Sequence, residues 1–123
     1  MIPADLAPLH MEGKSEALLS TVKVARGFFQ RLVGLLGRPG LAEDEGLMIP
    51  DCGAVHTFGM RFDIDVLFFD EDGTIMALYP KTPSGYVLTP RLRNVHTLET
   101  AAGFIERNEI KTGDKFILTA GNA

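Results

Sequence analysis

Apolar and polar residues alternate most regularly over residues 61–69, and this pattern predicts the central strand of the fold. A period of two places every second side chain on the same face of a strand. One face is therefore expected to be buried: Phe62, Ile64, Val66 and Phe68. The other face begins with charged residues and becomes apolar at Leu67, so we expect the far half of the strand to be covered on both sides.

An acidic turn follows this strand and predicts a hairpin. Residues 70–73 end in Asp72-Gly73, a pair that tolerates the positive φ of tight turns. Residues 74–79 are expected to form the returning strand. Pro80 has no amide donor, so it is expected to end the pairing.

Weaker patterns predict the remaining elements. Residues 26–36 carry a broad apolar stripe at helical spacing, and Gly37 follows as a candidate C-terminal cap. Further strands are expected at 18–25, 47–49, 94–100 and 115–119, and a turn or short helix at 101–108. The pattern predicts a mainly β (α+β) domain over residues 18–123, either a small antiparallel barrel or a sandwich-like sheet, with the helix over 26–36 covering an opening. Residues 1–17 have no period and are expected to form a flexible N-terminal arm, with one short edge strand as the alternative.

Length and composition restrict the class of protein. A chain of 123 residues with 46% hydrophobic content is expected to form one domain. Cys52 is the only cysteine, which excludes an internal disulfide. No apolar run approaches the ~18 residues of a membrane span. The N-terminus lacks a basic start followed by an apolar block, so we expect a cytoplasmic protein without a secretory signal.

The charge distribution argues against nucleic acid as the main partner. The net charge is −4, and the acidic residues are concentrated between Glu43 and Asp72, where only Arg61 opposes them. Phosphate binding requires clustered Lys and Arg instead.

Two spaced pairs are candidates for chemistry: Cys52 with His56, and His96 with Glu99. Together they offer a thiolate, two imidazoles and a carboxylate to a zinc ion, but their spacing is looser than in structural zinc sites. Cys52 and His56 are also a candidate nucleophile and base, yet no Lys or Arg stands beside Cys52 to favour its thiolate. We therefore predict neither a metal nor a cofactor.

Asp65 is the other unusual polar residue, because it lies between Ile64 and Val66 where the strand becomes apolar. A buried carboxylate needs donors. Arg31 is the favoured partner, in a structural ion pair that would join helix to sheet. Backbone donors in a neighbouring loop are the alternative, as is a catalytic pair with Asp63.

The segment 52–60, the loop 81–90 and the strand with His96 and Glu99 are expected to frame a cleft. The candidate ligand-binding residues, for which core packing is the alternative role, are His56, Phe58, Gly59, Met60, His96 and Glu99. The favoured function is a non-catalytic binding or accessory module that holds a small ligand or peptide, because no clear nucleophile, phosphate loop or tight metal motif is present. The alternative is a small metal-dependent or hydrolase-like enzyme that uses His56, Asp65, His96 and Glu99.

Three groups of residues also resemble the pattern of a known family. They are Arg31, Leu32, Gly34, Leu35, Leu36 and Arg38 with Gly46–Met48; His56–Met60 with Ile64–Val66, Phe68, Asp70 and Gly73; and Leu98, Glu99, Ala102 and Gly103 with Ile110, Gly113 and Asp114. The family is the bacterial and archaeal group known as domain of unknown function 192. Many members have a Trp-Met-Lys-Asn-Thr-type segment in place of His56–Met60, and proline in place of Ala101. The resemblance implies a small, mainly β domain with no settled biochemical activity.

Overall fold

The computed structural model of the protein describes residues 8–26 and 35–118. Over these two ranges the chain forms nine strands and one helix, α1. The strands are β1 (His10–Met11), β2 (Thr21–Val24), β3 (Glu45–Ile49), β4 (Val55–His56), β5 (Ile64–Asp70), β6 (Ile75–Thr82), β7 (Val87–Leu88), β8 (Val95–Ala101) and β9 (Phe116–Ile117), and α1 spans Phe104–Arg107. No helix within the described residues has the length and apolar character that crossing a bilayer requires.

A five-stranded sheet with the order β2-β3-β8-β5-β6 organises the fold. Its interior strands β8 and β5 pair antiparallel from Ile64↔Ala101 to Asp70↔Val95. β2 runs parallel to β3, and residues 25–44 separate the two strands in sequence, whereas a hairpin would have made them antiparallel. The mainly β, α+β prediction is confirmed, with this parallel pair as the exception to the expected antiparallel arrangement.

The two smaller sheets, β1–β9 and β4–β7, are each two-stranded. Over the described residues the strands do not close into a barrel. The barrel form of the prediction is therefore wrong, and the form based on packed sheets holds.

The central strand β5 is buried on both faces, as its alternation predicts. Ile64, Val66 and Phe68 belong to one apolar cluster, here the first-face core. Leu67 and Phe69 belong to a second cluster, the second-face core, on the other side of the sheet. All five side chains have no exposed surface. Since each contributes about 1.5–3 kcal/mol of burial free energy, this strand is the main apolar anchor of the domain.

The hairpin turn also forms where it is predicted. The amide of Gly73 donates to the carbonyl of Asp70, and the Asp70 carboxylate accepts the amides of Asp72 and Thr74. Gly73 has a φ of 89°, and a Cβ there would collide with the carbonyl oxygen of Phe116. Only glycine satisfies both the turn and this close approach.

The expectation that Pro80 ends the pairing is wrong, because β6 continues to Thr82. The register shifts between Val66↔Tyr79 and Ile64↔Thr82, so Pro80 and Lys81 form a bulge. β6 is the edge strand of the sheet, so the missing amide hydrogen of Pro80 leaves no carbonyl of a further strand without a donor. Lys81 adopts a φ of 47° at this bulge.

Part of the segment expected as an arm takes part in the fold. β1 pairs antiparallel with β9, and Leu9 and Met11 are buried in the second-face core. The helix expected over 26–36 falls mainly on residues 27–34, which lie outside the described residues. Residues 35–37 form a turn in which Gly37 has a φ of 82°.

Candidate functional site

A two-stranded ribbon brings the segment 52–60 and the loop 81–90 together. In it Val55 pairs with Leu88 and His56 pairs with Val87. Val55 and Leu88 pack on the first-face core, whereas His56 and Val87 are exposed. The ribbon therefore has one face on the domain and one face in solvent.

Thr57 fixes the ribbon from inside, with no exposed surface. Its hydroxyl donates to the carbonyl of Pro83 at 2.6 Å and accepts the amide of Tyr86 at 2.9 Å. Its own amide donates to the carbonyl of Tyr86 at 2.8 Å, and its carbonyl accepts the hydroxyl of Ser84 at 3.0 Å. These bonds hold the loop at a fixed position against the segment. The sequence analysis did not single out Thr57, because its partners lie about 26–29 residues away.

Large apolar side chains stand out around this ribbon. Phe58 and Tyr86 are each 53% exposed and Val87 is 58% exposed. The ring of Phe58 lies against that of His56, with centroids 5.8 Å apart and an interplanar angle of 34°. We call His56, Phe58, Tyr86 and Val87 the ribbon patch.

Two other predicted site residues of this segment have different surroundings. Met60 is buried in the first-face core. Gly59 has a φ of 81°, and a Cβ there would lie 3.3 Å from a methyl carbon of Leu36. Met60 thus packs in the core, and Gly59 provides the left-handed turn between Phe58 and Met60.

Asp65 is fully buried, and three backbone amides donate to its carboxylate. Oδ1 accepts the amides of Lys81 at 2.8 Å and Gly103 at 3.2 Å, and Oδ2 accepts the amide of Ile105 at 2.8 Å. The side chain thereby connects the β6 bulge to the first turn of α1. Backbone donors, the alternative considered from sequence, are present, while Arg31 lies outside the described residues.

His96 and Glu99 do not lie on the same face of the sheet. His96 is opposite Phe69 in the second-face core, whereas Glu99 is opposite Val66 in the first-face core. Positions three apart on a strand point to opposite sides. The structure therefore does not place these two residues, with His56, around one cleft.

Glu99 is an acid in an apolar environment. Only 6% of it is exposed, and burial raises the pKa of its carboxyl to about 7. The guanidinium of Arg38 donates to the carboxylate of Glu45 through two bonds of 3.0 and 3.2 Å. This guanidinium holds the pKa of Glu45 below its usual value.

His96 is buried beneath two exposed acids. Its side chain is 2% exposed, and its ring lies 5.4 Å from that of Phe69. Nδ1 accepts the backbone amide of Asp51 at 2.9 Å, and Nε2 lies 3.0 Å from Oε1 of Glu71. Of the described residues, the group that gathers three metal-ligating side chains is Asp51, Glu71 and His96, with ligand atoms within 4.8 Å of one another.

Cys52 is half-buried, and its thiol donates to the carbonyl of Ala54 at 3.1 Å. The zinc set considered from sequence, which joins Cys52 and His56 to His96 and Glu99, is not among the groups that gather in the described part of the chain. Asp51 and Glu71 were missed because they lie far apart in sequence. The sequence did place both acids just after a predicted strand, Asp51 after β3 and Glu71 after β5, and this shared position is the signal that could have identified them.

A comparison with protein-family models places the sequence in a family. The sequence model of DUF192, described as "Uncharacterized ACR", matches residues 9–118. The chain belongs to this family, as the resemblance of its motifs indicates. No curated protein matches the sequence.

Two solved structures share the fold. A protein from Sinorhizobium meliloti, proposed to regulate transcription, superposes with a TM-score of 0.78 at 24% identity, covering 89% of this chain and 90% of that one. A protein of unknown function from Novosphingobium aromaticivorans superposes with a TM-score of 0.77 at 23% identity, covering 89% of this chain and 83% of that one. At these identities the similarity concerns the fold alone.

Proposed function

We propose that this protein is a non-catalytic binding module that holds an apolar peptide segment on the ribbon patch. The observation that carries the proposal is the exposure of Phe58, Tyr86 and Val87 on a ribbon whose backbone Thr57 holds in place. Exposed aromatic side chains on a fixed backbone are typical of interaction surfaces.

A peptide suits this surface better than a small molecule does. Sites for small molecules are concave and enclose most of their ligand. The side chains of the ribbon patch instead project outward, each more than half exposed at Phe58, Tyr86 and Val87. Burial of each on a partner contributes about 1.5–3 kcal/mol before the cost of association, so a modest affinity is expected.

The residues of the enzyme alternative do not assemble. The carboxylate of Asp65 is occupied by three amides, and His96 is buried with Nδ1 occupied by an amide. Glu99 points to the other face of the sheet from His96. A nucleophile or base needs a reachable lone pair next to the substrate, and these side chains offer none in common.

Nucleic acid is not the proposed partner. The acidic residues between Glu43 and Asp72 and the net charge of −4 oppose binding to phosphates.

The test is selection of binders from a random peptide library displayed on phage, followed by titration of synthetic binders by calorimetry. Replacement of Phe58 or Val87 by serine removes apolar area from the ribbon patch, so it should weaken binding by about tenfold, equivalent to about 1.4 kcal/mol.

Met76→Ser is the matched control, because Met76 is an exposed apolar side chain on β6, 43% exposed and outside the ribbon patch. Its effect on binding should be negligible. Equal binding by the Phe58→Ser, Val87→Ser and Met76→Ser proteins would contradict the proposal, as would a library that yields no binder dependent on the patch.

A further inference from the structure

Asp51, Glu71 and His96 form a cluster that lies apart from the ribbon patch. Asp51 follows β3, Glu71 lies in the β5–β6 turn, and His96 is on β8. One ligand atom from each lies within 4.8 Å of the other two. The acids are open to solvent, with side chains 80% and 50% exposed, while the imidazole is 2% exposed.

The buried imidazole of His96 has one ring nitrogen without a hydrogen-bond partner, and this nitrogen faces the cluster. Nε2 of His96 is buried without a hydrogen-bond partner. Glu71 Oε1 is 3.0 Å away, within hydrogen-bond distance, but the pair does not form a hydrogen bond. Two ligand atoms at about 2.1 Å from one ion and at right angles to each other lie about 3 Å apart, so the separation of Nε2 and Oε1 is compatible with two ligands of one cation.

The backbone holds both acids beside His96. Asp51 adopts a φ of 51°, and its amide donates to Nδ1 of the ring. Glu71 lies within the turn that the Asp70 carboxylate stabilises through the amides of Asp72 and Thr74. A non-glycine residue in the left-handed region has a conformational cost that the surrounding structure must offset, and such residues concentrate at functional sites.

We propose that Asp51, Glu71 and His96 bind a divalent transition-metal ion through one imidazole nitrogen and two carboxylate oxygens. Imidazole suits zinc and carboxylate suits manganese, so the mixed set accommodates either ion. The exposed side of the cluster leaves the remaining coordination positions to water. The proposal is independent of the ribbon patch, because His96 belongs to the opposite face of the sheet.

Binding requires a proton to move. Nδ1 accepts an amide hydrogen, so a neutral ring carries its single proton on Nε2. The ion displaces this proton and binds the freed lone pair of Nε2, and the ring takes up a proton on Nδ1 through water. The amide of Asp51 gives up its bond to Nδ1, while the carboxylate of Asp51 stays on the ion.

The test is a titration with Mn²⁺ followed by amide NMR spectra, and with Zn²⁺ by calorimetry in a Cys52→Ser background that removes the neighbouring thiol. Mn²⁺ should broaden first the signals of residues near 51, 71 and 96. Zn²⁺ should bind with a stoichiometry of one, and Glu71→Gln and Asp51→Asn should each weaken it at least about tenfold.

Asp72→Asn is the matched control, since Asp72 is an exposed acid in the same turn and its loss changes the net charge equally. It should alter the affinity by less than about twofold. Both test variants replace exposed side chains, so their folding is preserved. Absence of Zn²⁺ binding, binding that Glu71→Gln and Asp72→Asn change equally, or Mn²⁺ broadening spread over all acidic surface residues would each overturn the proposal.

Discussion

Two buried carboxylates on neighbouring strands experience opposite conditions. Asp65 on β5 faces α1 and accepts three backbone amides, whereas Glu99 on β8 faces the first-face core and its burial raises the pKa of the carboxyl. The two residues belong to adjacent pairs of the β5–β8 ladder: Asp65 is opposite Thr100, and Glu99 is opposite Val66. We therefore expect nearby donors, rather than depth, to decide whether each carboxylate stabilises the fold.

The largest effect is expected from Asp65→Asn. The NH₂ group of asparagine would face the backbone N–H of Ile105, so two donors would meet. Its neutral carbonyl oxygen would be a weaker acceptor for the amides of Lys81 and Gly103 than the carboxylate is. Unsatisfied buried donors cost about 1–3 kcal/mol each, so we expect the free energy of unfolding to fall by about 4 kcal/mol. Urea denaturation at neutral pH measures this change.

Asp63→Asn provides the control, because Asp63 is exposed two residues earlier in the chain. Its effect should stay within about 0.5 kcal/mol. If the two asparagine variants lost similar stability, the amide contacts of Asp65 would not be what stabilises the β6 bulge and α1.

A smaller, pH-dependent effect is expected from Glu99→Gln. The pKa of Glu99 is raised from 4.5 to about 7 in the folded protein, so between these pH values the folded chain binds more protons than the unfolded chain. The free energy of unfolding should therefore be unaffected by Glu99 below pH 4.5 and should fall as the pH rises from 4.5 to 7. Glutamine removes this loss, which amounts to about 2–3 kcal/mol.

The measurement is the difference in unfolding free energy between Glu99→Gln and the parent protein, taken at several pH values. The difference should move in favour of the variant as the pH rises. Glu106→Gln, at a side chain 76% exposed, should show a flat difference. A flat difference for Glu99→Gln as well would mean that its carboxyl ionises normally.

The smallest effect is expected from Glu45→Gln, the partly exposed third case. Its partner Arg38 lowers the pKa of Glu45, so the pair stabilises the protein above the usual value of 4.5 and ceases to do so as the pH falls below it. Exposed ion pairs contribute about 0.2–1 kcal/mol. We expect Glu45→Gln to lower the free energy of unfolding by an amount in this range at pH 7, and this loss should disappear in high salt. A larger loss would mean that the pair stabilises the fold as strongly as the amide contacts of Asp65 do.

The central strand was predictable from sequence, and the partners of its acid were not. The alternation of Ile64, Val66 and Phe68 is a local property with a fixed geometric meaning. The donors to Asp65 come from residues 16 to 40 positions away, so they depend on the topology of the whole sheet. For the same reason Pro80 was misjudged: an edge position is a property of the sheet, not of the strand.

The site was less predictable than the fold for two different reasons. The spacing of His96 and Glu99 already indicated opposite faces once both were assigned to a strand, so this information was in the sequence. The convergence of Asp51 and Glu71 on His96, and the bonds of Thr57 to the loop 81–90, arise from contacts between distant segments. Such contacts leave no local pattern.

The bulge at Pro80 and Lys81 has a consequence for how copies of this protein behave toward one another. The open edge of a sheet can recruit a strand from a second molecule, and such recruitment leads to aggregates. On β6 a proline without a donor, a twisted backbone and the ammonium of Lys81, 3.1 Å from Glu106, occupy the end of that edge. We therefore expect the irregularity that interrupts the hairpin also to hinder neighbouring molecules from extending the sheet.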